Sequence, residues 1–235
     1  MRQILRNPDK RYDNFFSSIF TAEAKLPDQI KVISWNYDFQ IERSYLEFNK
    51  TVEINSCRSA LGMTSPYNWA DQSMYAKKFN VIKLNGSARI KTIDFEGYLF
   101  SNSTGDRDSD AEETIDRYLT ITQGREPIEC ELKFAWESKN YNTLFNAIES
   151  ELSKITVLVI IGYSFPFFNR EVDRMLFKLM GNLQKIYIQD INPSDIKESM
   201  EEFVNNYNSS GSNIEYFYKT NLKQFVFPKE LDVRS

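Results

Sequence analysis

The sequence predicts an α/β fold of Rossmann-like type, a mostly parallel sheet with helices on both faces. Three observations predict it. Short apolar runs recur along the chain. Stretches with apolar residues at helical spacing alternate with them. Each run then stops abruptly in polar residues. Continuous apolar strands alternating with amphipathic helices are the pattern of a parallel sheet buried on both faces.

The elements follow in order. Residues 11–20, "RYDNFFSSIF", place Phe15, Phe16, Ile19 and Phe20 at helical spacing, and Pro27 ends the pattern. "QIKVIS" at 29–34 is a strand ending at "WNYD", and "FQIERSYLEF" after it sets Ile41, Tyr45 and Phe48 on one helical stripe. Residues 50–78 carry no clear period. A second strand at 80–84 ends at "NGSA". Tyr141, Leu144, Phe145, Ile148 and Leu152 mark an amphipathic helix over 141–152, followed by the strand "TVLVII" at 156–161 and the loop "GYSFPFF". A helix begins near Asn169, read as its N-cap, with Val172, Met175, Leu176 and Leu179 inward. The strand "KIYIQ" at 185–189 leads into "DINPSDIKESMEEF", where Asn192 can cap and Pro193 can open the helix. "IEYFY" at 214–218 is the last strand, and "NLKQFVF" reads as a short helix or strand against the sheet edge. The whole is expected to be a single domain over 1–235 with an insertion around 98–130; whether its N-terminus is complete stays open.

Composition narrows the function classes. With 41% apolar and 14% aromatic residues the chain supports a packed core. A net charge of −4 argues against a nucleic-acid partner, and the cluster Arg2, Arg6, Lys10, Arg11 reads as a solvated helix face. Cys57 and Cys130 are the two cysteines, too few for a disulfide framework or a four-cysteine zinc site. That points to a reduced, cytoplasmic protein. No apolar run approaches the ~18 residues of a membrane span, and the first residues lack the apolar core of a signal peptide. The chain contains no histidine. A Ser-His-Asp or Cys-His site and a His-ligated metal are therefore excluded, and no metal is expected. Asp106, Asp108 and Asp110 resemble the start of a calcium loop, but Ala111 stands where the loop needs glycine, so this acidic stretch reads as an exposed loop.

Four strand ends are polar: "SWNYD" at 34–38, "NGS" at 85–87, "GYS" at 162–164 and "DINP" at 190–193. In a parallel sheet these tips share one rim, where open α/β sheets bind ligands. Amides and hydroxyls suit ribose and phosphate oxygens, and glycine lets a backbone approach closely. A glycine-rich phosphate loop after an early strand is missing, since the first glycine is Gly62.

In this order the tips resemble the SIR2-like family, relatives of sirtuins found in many prokaryotic defence proteins. Its members commonly read Thr-Asn-Tyr-Asp, Lys-Leu-His-Gly-Ser and Ile-Gly-Tyr-Ser, followed by a strand end with asparagine. Here the same places read "SWNYD", "KLNGS", "IIGYS" and "INP", over roughly 30–195. The resemblance implies NAD as ligand or substrate, with nicotinamide and ADP-ribose as products of hydrolysis. It implies catalytic roles for Asn36, Asp38 and Asn85, and cofactor contacts from Ser34, Asn36, Gly86, Ser87, Gly162, Tyr163, Ser164 and Asn192. Asn36 would hold the nicotinamide-side ribose or the attacking water, and Asp38 would brace that loop. Gly162 and Ser164 would face the adenosine side, and Asn192 its ribose.

The chain departs from the family pattern at two places. Asn85 stands where the family has its catalytic histidine, and an amide takes no proton at neutral pH. The Gly-Ala-Gly loop is also absent, which leaves open a shortened chain, a piece of a longer gene product, or a domain that has lost cofactor binding. The zinc ribbon of deacetylating sirtuins is missing too, so deacetylation is less expected than NAD hydrolysis or binding.

Each residue also has a plainer reading. Asp38 equally suits an N-capping carboxylate, Asn85-Gly86 a turn pair, Gly162 a positive-φ turn and Ser164 a solvated hydroxyl. Trp35, Trp69 and Trp136 read as packing residues. Glu42 and Asp173 could replace the lost base, but as first-turn carboxylates they read first as surface groups. Three functions stay open: an NAD-consuming enzyme, a non-catalytic SIR2-like module that binds nucleotide or mediates assembly, and a Rossmann-like domain with another ligand. A homo-oligomer or further domains in a longer protein are also left open.

Overall fold

The computed structural model describes residues 10–49, 54–66, 78–92, 96–98, 119, 123, 128–134, 141–207, 213–220 and 223–232 of the 235. The acidic stretch at 106–110, Trp69 and Trp136 lie outside them. The fold is α/β of Rossmann-like type, with two parallel sheets and one small antiparallel sheet.

Helix α1 (Lys10–Ile19) leads to strand β1 (Lys31–Ser34), helix α2 (Gln40–Phe48), helix α3 (Ile54–Ala60), strand β2 (Met63–Thr64) and strand β3 (Asn80–Lys83). These strands form a parallel sheet in the order β1-β3-β2. The second parallel sheet has the order β7-β8-β9, from β7 (Val157–Ile161), β8 (Lys185–Gln189) and β9 (Glu215–Lys219). Its connections are helices: α4 (Tyr141–Leu152) precedes β7, α5 (Arg170–Leu179) joins β7 to β8, and α6 (Pro193–Tyr207) joins β8 to β9.

Side chains alternate across the sheets, and each face has its own core. In β3, Ile82 enters one cluster with Leu144 and Leu152 of α4, Leu176 of α5, and Met200 and Phe203 of α6. Val81, one residue earlier, enters the other, with Phe16 and Ile19 of α1, Ile41 of α2, and Cys57 and Leu61. The predicted two-faced cover is therefore present. On the second face, Tyr187 of β8 stacks on Phe217 of β9 and reaches Glu230 in the turn Lys229–Leu231.

Gly62 shows why its turn needs glycine. It has φ +53, and a Cβ there would sit 2.8 Å from the carbonyl oxygen of Phe79.

Several expectations change. The chain does not stop at "NGSA". It turns through Leu84-Asn85 into strand β4 (Gly86–Thr92), which pairs antiparallel with β5 (Glu96–Tyr98) and β6 (Ile128–Leu132). The insertion expected around 98–130 is therefore flanked by strands, β5 at its start and β6 at its end. Asn169 stands at the N-cap of α5 but makes no side-chain cap bond, because its amide is turned toward Tyr163. Residues 223–228 form neither helix nor strand; Val226 is held instead by the Gln189 side chain, whose Oε1 accepts its N–H at 2.9 Å. Glu42 and Asp173 are not surface carboxylates, being 0% and 1% exposed.

Glu42 is buried because it has cationic partners. Lys83 Nζ lies 2.8 Å from Glu42 Oε1 and 3.0 Å from Oε2, and Arg58 reaches the same Oε1 at 3.2 Å. Lys83 also donates to the Asp38 carbonyl. Burial pulls the Lys83 ammonium below its ordinary range, while Glu42 opposes that shift.

Candidate functional site

Strand order reverses direction between the two parallel sheets. From β1 the chain builds outward to β3 and β2, and from β7 outward to β8 and β9. Between β1 and β7 lies a cavity of about 350 Å³. Both strands line it along their full length, together with Tyr12 and Phe15 of α1, Leu176 of α5, Met180, Phe225 and Phe227.

The two strands run in the same sense across this cavity. At their amino ends, Lys31 feels the charges of Glu151 and Lys154, which flank the end of α4. At their carboxyl ends, the Trp35 ring stacks on Tyr163 at 5.4 Å with 9° between planes. The polar tips after β1, β3, β7 and β8 therefore share one rim, with the Trp35–Tyr163 stack at the mouth.

After β1, Ser34 Oγ accepts the Asn36 N–H at 3.1 Å, a short side-chain turn that fixes the loop. Asn36 is exposed, and its Nδ2 donates to Tyr12 Oη at 3.3 Å. Asp38 Oδ1 accepts the Gln40 N–H at 3.1 Å, at the start of α2. Asn85 is buried; its Nδ2 donates to the Trp35 carbonyl at 2.9 Å and so ties the tip of β3 to that of β1. Gly86 takes φ +70 as β4 begins, and buried Ser87 accepts from Arg58 at 3.2 Å.

After β7, Gly162 adopts φ +59 and donates its N–H to the Gln189 carbonyl at 3.1 Å. Ser164 is exposed, as is Asn192 after β8, whose N–H donates to Asp190 Oδ1 at 3.0 Å. Of the residues singled out from sequence, Ser34, Asn36, Gly162 and Tyr163 converge on the cavity. Asp38, Asn85, Gly86, Ser87, Ser164 and Asn192 stand outside its lining.

Asp173 joins the first group. It lines the cavity, and both carboxylate oxygens lie 3.0 Å from Tyr163 Oη. Asn169 Nδ2 donates to the same phenol oxygen at 3.1 Å. Burial pushes the Asp173 carboxyl up to about 7, although the Tyr163 hydrogen bond opposes the shift. Burial and the neighbouring carboxylate push the Tyr163 phenol up. A carboxyl that titrates near neutrality can exchange protons in the range that histidine usually serves. The composition showed the histidine missing, but nothing local in the sequence marked Asp173 as buried.

The rim carries exposed aromatic and aliphatic side chains as well. Phe167 is 82% and Phe168 57% exposed after β7, with Ile191 exposed after β8 and Tyr37 after β1. Such flat apolar groups can stack on a base or a partner's surface. Among the described residues no group of three His, Cys, Asp or Glu side chains could hold a metal ion. No helix among them is long and apolar enough to cross a membrane. Comparison with family models, curated proteins and solved structures gives no match.

Proposed function

We propose that this chain is a SIR2-like nucleotide-binding module whose ligand is NAD, bound at the rim between β1 and β7. The observation that carries the reading is the convergence of Ser34, Asn36, Gly162 and Tyr163 on one cavity at the reversal of strand order. The ordered resemblance of the four tips narrows the ligand from nucleotides in general to NAD. Asn36 offers an exposed amide to a ribose hydroxyl. Phe167 and Phe168 offer rings to the adenine.

Hydrolysis of the nicotinamide–ribose bond is the second reading, and Asp173 favours it. Asn85, in the place of the family's histidine, directs its amide to a backbone carbonyl and has no proton to exchange. Asp173 would take that duty, accepting a proton from a water that Asn36 positions. Its carboxyl first has to be uncovered by a movement of the Tyr163 hydroxyl.

Thermal melts with NAD, read beside nicotinamide release by chromatography, test both readings. Binding raises the melting temperature, by the equivalent of about 2.7 kcal/mol at 100-fold excess over Kd. Asn36→Ala is expected to weaken that rise. Release that disappears in Asp173→Asn while the rise persists supports hydrolysis. Absence of any rise counts against NAD as ligand.

A further inference from the structure

We propose that two copies of this chain join edge to edge through β9, antiparallel about Phe217, so that the two β7-β8-β9 sheets become one continuous sheet. The inference does not depend on the nucleotide reading.

Backbone direction selects the register. Among the described residues β9 pairs only with β8 and ends the order β7-β8-β9. The N–H and C=O of one strand residue point to one side, and those of the next to the other. Glu215 donates its N–H to the Gln184 carbonyl, and the Lys219 carbonyl accepts from Asp190. Glu215, Phe217 and Lys219 therefore direct their backbone groups to β8, and Tyr216 and Tyr218 turn theirs outward. In an antiparallel pair, residues that exchange hydrogen bonds stand directly opposite each other and alternate with residues that do not. A two-fold axis at Phe217 sets Tyr216 against the partner's Tyr218, and Tyr218 against the partner's Tyr216. Both outward residues of each copy are then bonded.

The side chains agree with that register, and they name the partner. β9 reads Glu-Tyr-Phe-Tyr-Lys, aromatic in the middle and opposite in charge at its two ends. About Phe217, Glu215 faces the partner's Lys219, and Lys219 faces the partner's Glu215. Opposite charges and aromatic rings in directly opposed positions are favourable cross-strand pairs. An axis at Tyr216 or at Tyr218 would set Glu215 or Lys219 against a phenylalanine instead. A lysine on a sheet edge normally keeps other strands away. A second copy of the same strand brings the carboxylate that offsets it. Glu215, Tyr218 and Lys219 are exposed, with Tyr216 and Phe217 half-buried. Phe217 is held by its stack on Tyr187, and Tyr216 by Lys197, whose Nζ lies 4.7 Å from the ring centroid. The strand is therefore presented in a fixed form, which lowers the cost of pairing. Five residues of strand are a small contact, so the dimer belongs to the transient class.

The test is sedimentation of the full chain up to about millimolar concentration, beside amide exchange by NMR. Wild type is expected to dimerise, with exchange at Tyr216 and Tyr218 slowing as concentration rises. Lys219→Glu and Glu215→Lys each oppose like charges at both ends of the paired strands. Each is expected to weaken the dimer by at least about tenfold, and mixing the two variants is expected to restore it. Tyr218→Pro removes an outward N–H, leaves the bonds to β8 in place and is expected to be monomeric. Glu215 also stands opposite Lys185 of β8. Melting curves therefore accompany each variant, and Lys219→Glu with Tyr218→Pro decides alone if Glu215→Lys does not fold. The proposal is overturned if wild type stays monomeric throughout, if its dimer survives Lys219→Glu and Tyr218→Pro, or if the two folded charge variants do not pair on mixing. It is equally overturned if the Tyr216 and Tyr218 amides are already protected in the dilute monomer, because residues of the chain itself then cover the edge.

Discussion

Asp173 is a carboxyl in mostly apolar surroundings with a single phenol as its close neighbour, and that makes its titration a property of the fold. Its pKa in the folded chain is about 7, above the ordinary 3.8. Folding therefore favours the protonated form. The stability it contributes is complete below pH 4 and is lost as pH rises through 7. A shift of that size corresponds at most to roughly 4 kcal/mol. Melting curves across this range should show wild type losing stability relative to Asp173→Asn, which cannot ionise. A parallel pH dependence in the two proteins would sink the idea. The same residue marks a limit of sequence reading. Ser34, Asn36, Gly162 and Tyr163 could be picked out because they end strands or come soon after them. Asp173 is brought to them by the loop 162–169, whose course includes Phe165 at φ +53 with its ring in the core. No local pattern encodes that course.

At the scale of elements, the link between β3 and α2 is ionic. Lys83 belongs to a strand whose four residues are all buried, and Glu42 belongs to the first turn of α2. Removing Lys83 leaves the buried Glu42 carboxylate with Arg58 alone. Lys83→Met is expected to cost up to about 3 kcal/mol in urea unfolding, the low end for a broken buried pair. Lys83→Met combined with Glu42→Leu should recover most of that loss, because Arg58 keeps Ser87 and Glu131 as partners. A double variant as unstable as the single one would show that the pair is not the cause. The strands and the helices α4 to α6 were legible because period and composition agreed in them. The antiparallel strands β4 and β6 were not. Asn85-Gly86 reads the same whether the chain turns to solvent or into another strand, and the choice is made by distant pairing, from Gly86 with Leu132 to Thr92 with Ile128.

The molecule as a whole is a sheet in two halves. Among the described residues, half of the peptide groups of β1 and β7 have no strand beside them, whereas β8 is paired on both sides. Native-state amide exchange should therefore be faster at Ile33, Val157, Val159 and Ile161 than at Ile186 and Ile188. Equal protection in both groups would mean that the seam is closed in solution. The Rossmann-like class and the shared rim were foreseen from the alternation of runs and helices. The reversal of order at the seam was not, because strand neighbours are set by packing across the whole chain.

The seam also bears on how the chain assembles. Residues 10–92 supply the first parallel sheet, and residues 141–219 supply the second with all three of its covering helices. No backbone pairing between the two parallel sheets has to form before either is complete. Each half is closed by parallel pairings made within its own stretch of chain, such as Val32 with Val81 and Ile186 with Tyr216. They share the core around Ile82 and Leu84, so docking through side chains comes as the later step. The division of pairing predicts two folding units that meet through side chains around Ile82 and Leu84.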